Sequence, residues 1–300
     1  MKQTHVIACG SASAELVLPG SGLYRGVRFD HAGIFRNIRF RDHTYSDRWL
    51  DGPEDPLRHD NVTGPAEEFS AIGYEEAPVG GPFLKIGVGI LQKTEEKPYA
   101  FTASYPLVDG GRRSCEADGS SVVFRHTIQA GKWAYDYVKR VSWEKEGVLV
   151  LEHRLTNTGD AVLDGTVYNH DFFTFDDARP GKGFRVDLPY HPSGEWRQWP
   201  DDLLVGELTP DGIRLNDDVT PGKKICITHL GSADGKPLPY RFSLVQEEKK
   251  MGVDVASEAP VCRIQFWGNH RVACMEPFMP LRLNSGETRS WTVRFSFIKY

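Results

Sequence analysis

Turn-forming residues recur so often along this chain that a long helix has little room to form. Thirty glycines and 19 prolines punctuate 300 residues at short intervals. Between them lie runs rich in β-branched and aromatic side chains, the signature of strands. These runs are Phe83–Lys93, Ser120–Gln129, Tyr135–Trp143, Val148–Asn157 and Ala161–Phe173, then Val261–Gly268, Arg271–Phe278 and Arg289–Tyr300. Glu146-Gly147 between two of them predicts a hairpin. Asn157-Thr158-Gly159-Asp160 predicts a turn into a third strand of the same meander. Thr4–Ala8 reads as a first strand, and Asp176–Gly183 and Ser232–Pro239 as surface loops. Only Asp42–Leu50 and Asp201–Leu208 offer short helical patterns. Strands this closely spaced predict an all-β sandwich or barrel. No repeat at a fixed period points to a propeller, and no linker divides residues 1–300, so one domain is expected.

Composition narrows the partners. The net charge is −5 with no basic block, which argues against nucleic acid. No apolar run approaches the ~20 residues of a membrane helix. Five cysteines, an odd number without a C-x-x-C pair, read as free thiols of a reducing cytoplasm. Cys9 follows Val6-Ile7-Ala8, but the segment before it is too short and polar for an export signal. Asn61-Val62-Thr63 then carries no weight as a glycosylation site. Monomer and homodimer both stay open.

Two stretches carry chemistry. In Tyr168–Phe175, "YNHDFFTF", His170 sits between Asn169 and Asp171 within an aromatic run. In Ala273–Phe278, "ACMEPF", Glu276 interrupts an apolar strand and precedes Pro277. A lone histidine or glutamate on a strand ordinarily faces solvent or packs in a core. A glutamate facing inward is costly, and burial raises its pKa towards a useful range. A histidine and a glutamate from distant strands could then act as an acid/base pair across a pocket.

These elements occur in a recognisable order. Leu155-Thr156-Asn157-Thr158-Gly159, then Val167-Tyr168-Asn169-His170-Asp171-Phe172-Phe173, then Cys274-Met275-Glu276-Pro277 resemble the motifs of the aldose 1-epimerase (galactose mutarotase-like) superfamily. Gly286-Glu287-Thr288 before a final strand fits too, and the resemblance runs from about Tyr24 onward. It implies a β-supersandwich of two large twisted antiparallel sheets packed face to face. It also implies an isomerase that interconverts the α and β anomers of a sugar through the open-chain aldehyde. His170 matches the family's acid and Glu276 its base, and no metal or organic cofactor is called for. Asn169, Asp171, His59, Glu68, Lys85 and Trp267 are the candidate sugar contacts, with Phe172 and Phe173 as further walls and Glu67 beside Glu68.

The sequence also departs from the pattern. No His-Gly-Gly loop is present, and Arg58–Phe69 occupies a comparable place, with His59 as a candidate substitute. Lys85 is an odd charge in an apolar strand, touching ligand or lying on an outer face. Arg36, Arg39, Arg41 and Arg48 could grip a sugar phosphate, although Asp42 and Asp47 interrupt them. The alternatives are a mutarotase for a sugar phosphate or uronic acid, and a non-catalytic carbohydrate-binding sandwich of the same fold. A lyase or hydrolase sandwich fits poorly, because nothing here suggests a cleft for a polymer.

Overall fold

The computed structural model describes residues 2–201 and 204–299. Among these residues there are 23 strands and no helix, hence none long and apolar enough to cross a membrane. β1 (Thr4–Cys9), β2 (Ala12–Val17), β3 (Phe35–Phe40) and β4 (His43–Ser46) form a four-stranded sheet. β5 (Gly64–Phe69) joins a larger sheet. β6 (Pro82–Lys85), β7 (Gly89–Gln92) and β8 (Leu107–Asp109) form a small one. Then come β9 (Arg112–Ala117), β10 (Ser121–Ala130), β11 (Trp133–Lys145), β12 (Val148–Asn157) and β13 (Leu163–Phe172). The remainder are β14 (Phe184–Asp187), β15 (Pro192–Trp199), β16 (Gly206–Thr209), β17 (Gly212–Leu215), β18 (Lys224–Ser232), β19 (Arg241–Gln246), β20 (Met251–Ala256), β21 (Arg263–Asn269), β22 (Ala273–Leu283) and β23 (Thr288–Lys299).

Two large antiparallel sheets organise the molecule. One has ten strands in the order β16-β17-β14-β19-β20-β23-β12-β11-β10-β9, the other six in the order β15-β18-β21-β22-β13-β5. Side chains alternate across a strand, and one set from each sheet meets in a shared core. Leu149, Leu151, Val253, Val293 and Phe295 come from the ten-stranded sheet. Val167, Ile264, Phe266, Met275 and Met279 come from the six-stranded one. The other face of the six-stranded sheet is covered by a second apolar cluster that includes Tyr24, Phe29, Trp49, Leu50, Ala66, Phe172 and Cys274. All five cysteines are free.

The structure corrects three local expectations. Asp42–Leu50 is not helical, since His43–Ser46 is strand β4. Of Asp201–Leu208, Asp202 and Leu203 lie outside the described residues, and Gly206–Thr209 is strand β16. Phe83–Lys93 is a tight hairpin, its strands parted at Gly87, whose φ of +80° suits glycine.

The Glu146-Gly147 hairpin joins β11 to β12 as expected, with Gly147 at φ +76°. The meander stops there. β12 pairs with β11 and β23, whereas β13 crosses to the six-stranded sheet and pairs with β22 and β5. Asn157 fixes that crossing. Its side-chain amide donates to the carbonyls of Ala161 (2.9 Å) and Leu283 (3.0 Å), and its Oδ1 accepts the Gly159 N–H (3.0 Å). A Cβ on Gly159 would come within 2.4 Å of the Ala134 nitrogen. Thus Asn-x-Gly is a corner, which carries the chain from one sheet to the other.

Candidate active site

Pairing of β13 with β22 sets Tyr168 opposite Phe278, and β21 pairs with β22 so that Gln265 lies opposite Glu276. On the other side β5 sets Glu68 opposite Tyr168 and Ala66 opposite His170. Three rows therefore run across the covered face. One holds Arg263, Phe278, Tyr168 and Glu68. The next holds Gln265, Glu276 and His170, and the third Trp267, Cys274 and Phe172. Above them is a cavity of about 710 Å³, whose rim comes from Arg28, Trp49, Arg58–Asp60, Tyr99, Phe101 and Trp199.

His170 Nε2 lies 3.4 Å from Glu276 Oε1. The imidazole is held by stacking, 3.8 Å from the Phe172 ring centroid at an interplanar angle of 9°. Phe172 stacks in turn on Trp49 at 5.0 Å, and the Trp267 ring meets the imidazole edge-on at 5.8 Å. Both members of the pair are buried. Burial, with the Arg28 charge acting in the same direction, pushes the imidazole well below its ordinary range. Burial pushes the Glu276 carboxyl up to about 7 against the pull of Arg28. Both shifts favour the uncharged pair, with the proton on Glu276 rather than on the imidazole. Gln265 Nε2 donates to Glu276 Oε2 at 3.2 Å, which leaves Oε1 directed at the histidine.

The candidate sugar contacts separate by strand alternation. His59, Glu68 and Trp267 line the cavity. His59 is half-buried, tilted against Phe101 at 5.9 Å, and burial lowers its pKa. Asn169 and Asp171 do not line it, because they flank His170 on its strand and so face the opposite way, into the core between the sheets. There Asn169 Nδ2 donates to Glu67 Oε1 at 2.8 Å. Asp171 is fully buried with neither side-chain oxygen hydrogen-bonded, and burial pushes its carboxyl well above the ordinary range. Phe173 likewise packs in the inter-sheet core.

Lys85 neither reaches the cavity nor lies on an outer face. It is fully buried behind Glu68, donating to Oε1 at 3.1 Å. Arg36, Arg39 and Arg48 line a separate cleft, where Arg36 pairs with Glu54 at 2.9 Å. Among the described residues no group of three His, Cys, Asp or Glu side chains could hold a metal ion.

Several cavity residues escape sequence reasoning. Tyr168 donates to Glu68 Oε2 at 2.6 Å. Arg28, from the irregular segment after β2, donates to the same oxygen at 2.6 Å and to the Tyr168 hydroxyl at 2.9 Å. Gln265 and Arg263 alternate with Ile264 and Phe266, a pattern that could have placed them beside Trp267. Arg28 has no such signal.

No protein-family model matches the chain, and no curated protein matches it significantly. Solved structures do match over nearly the whole length. A protein of Synechocystis sp. PCC 6803 is 15% identical, with a TM-score of 0.61 over 100% of this chain and 97% of the other. A galactose mutarotase related enzyme of Lactobacillus acidophilus is 12% identical, with a TM-score of 0.60 over 99% and 97%. A galactose 1-epimerase of Lactobacillus acidophilus NCFM is 11% identical, with a TM-score of 0.54 over 96% and 92%. The chain thus has the galactose mutarotase-like fold, all-β and built on antiparallel sheets. At such identities the likeness is one of fold, and activity has to be argued from the site.

Proposed function

We propose that this protein interconverts the α and β anomers of an aldose. The observation that carries the reading is the His170–Glu276 pair, 3.4 Å apart and buried at the floor of a sugar-sized, aromatic-lined cavity. Ring opening needs one proton taken from the C1 hydroxyl and one given to the ring oxygen. With the shared proton on His170, the Glu276 carboxylate takes the hydroxyl proton while the imidazolium protonates the ring oxygen. The C1–ring-oxygen bond breaks, and the open aldehyde remains. The pair now holds its proton on Glu276, the arrangement that burial favours. Rotation about C1–C2 presents the other carbonyl face, and closure runs the transfers backwards. Nothing is consumed, so the pair is ready for the next ring. Trp267 and Trp49 offer aromatic walls to the apolar side of a sugar, Phe172 being stacked between His170 and Trp49, and His59 and Glu68 offer hydrogen bonds to its hydroxyls.

Saturation-transfer NMR of anomer exchange tests the reading directly. His170→Asn and Glu276→Gln are each expected to lower exchange by at least about 100-fold with the fold intact. Sugar that binds but never exchanges faster than in buffer would point instead to a carbohydrate-binding sandwich without turnover.

A further inference from the structure

The face that carries the reacting pair continues past it. His170 and Glu276 stand on β13 and β22, and three more strands, β21, β18 and β15, follow β22 before the sheet ends. At the usual strand spacing this is roughly 14 Å of further floor. A pyranose ring spans little more than one such interval. Pairing sets Trp267 opposite Cys226, Thr228 opposite Glu195 and Lys224 opposite Trp199. Alternation turns these side chains to the face of the reacting pair, and Lys224, Cys226, Thr228 and Trp199 line the cavity. The other directions are closed or already answered. Towards β5, Ala66 lies opposite His170, and the Phe29 ring meets the imidazole edge-on at 5.9 Å. Along the strands, Tyr168 and Arg28 both donate to Glu68, and Ser70 Oγ accepts the Thr166 N–H at 2.9 Å. Across the sheet the groups are unanswered. The Thr228 hydroxyl is buried with no hydrogen-bond partner among the described residues, and Trp199 is 43% exposed. An orphaned hydroxyl costs free energy, and an exposed indole at a cavity rim is apolar area that a ligand can cover.

We infer that the sugar presented to His170 and Glu276 is the reducing end of a disaccharide, and that its second ring lies over Cys226 and Thr228 with Trp199 as its outer wall. The inference rests on the anomerase reading, which places C1 at the pair. Phe29 blocks the β5 side, so the first ring extends from the pair over Gln265. The oxygen on C4, across the ring from C1, then points along the floor towards β18, and a 1,4-linked unit continues in that direction. Thr228 hydrogen-bonds a hydroxyl of that unit, and the Trp199 indole covers its apolar face. β15 is the last strand of the sheet, so a third ring would stand beyond the floor.

Anomer exchange is measured by saturation-transfer NMR on D-glucose and on maltose, cellobiose and lactose, which all carry glucose at the reducing end. At least one disaccharide is expected to exceed glucose in kcat/KM by about tenfold. That disaccharide-to-glucose ratio should fall about tenfold in Trp199→Ala. Trp199→Phe keeps an aromatic wall and should retain part of it. Thr228→Val keeps the shape, removes the hydroxyl and should lower the ratio too. Trp199 is exposed, so its replacement leaves the core intact. A ratio near one, or an advantage that survives both Trp199→Ala and Thr228→Val, overturns this inference while leaving the anomerase reading in place. Failure of every sugar, glucose included, to exchange faster than in buffer overturns both.

Discussion

Glu276 shows how an ionisable group is held inside a folded chain. It is buried beside Gln265 and His170, and its carboxyl is raised to about 7. An acid whose folded pKa lies above its unfolded value stabilises the fold fully below the unfolded pKa. That contribution is lost as pH rises through the folded value. For Glu276 the window runs from about 4.5, its ordinary value, to about 7. Glu276→Gln keeps the shape and removes the titration. The variant should therefore match the wild type near pH 5 and exceed it at pH 8 by up to about 3 kcal/mol. Urea unfolding of both proteins at the two pH values checks this, and a gap that does not change with pH would count against it. At this scale the sequence was informative where one residue broke a pattern. Glu276 amid apolar neighbours and His170 amid aromatics could both be found. Arg28 could not, because it reaches the site from an irregular segment whose path depends on packing.

At the scale of elements the deciding property is period two. On β5, Glu67 and Glu68 are neighbours in sequence and opposites in space. Glu68 faces the cavity, and Glu67 faces the inter-sheet core, where it meets Lys139 from β11 and Asn169. The same alternation turned Asn169 and Asp171 away from the cavity although they flank His170. The strand was legible, but its two faces were not, because both are buried and neither shows a polar-out pattern. The buried pair predicts an asymmetry. Lys139→Met leaves Glu67 buried without its cation, with the Asn169 amide still donating to it, and should cost about 3–5 kcal/mol. Adding Glu67→Gln should recover most of that loss. A double-mutant cycle by urea unfolding decides, and simple additivity would exclude the coupling.

For the whole molecule the informative strand is β23. It lies between β20 and β12 in the ten-stranded sheet, so it joins two halves that have no other strand-to-strand link within that sheet. Ser296 stands at the centre, opposite Val148 on one side and Asp254 on the other. Proline there removes a backbone donor and clashes within a central strand. Ser296→Pro is expected to abolish cooperative folding, read by circular dichroism and solubility. A variant that melts within a few degrees of the wild type would show that the halves hold without this strand. The strands themselves were mostly legible from their turn residues, as was the class of sandwich. Their order was not. β12 and β13 are consecutive yet belong to different sheets, because a corner built on Asn157 matters more than adjacency.

The position of β23 also has a cost in time. A ribosome releases β12 roughly 130 residues before the end of the intervening chain, and at about 5–20 residues per second that is an interval on the order of ten seconds. Throughout it, the edge of β12 that will flank β23 has no partner, joined near the end by that of β20, and an open strand edge is a template for another chain. The cell must shelter this nascent protein until its keystone arrives, so yield on overexpression should depend on translation speed and on holding chaperones more than on the stability of the finished fold.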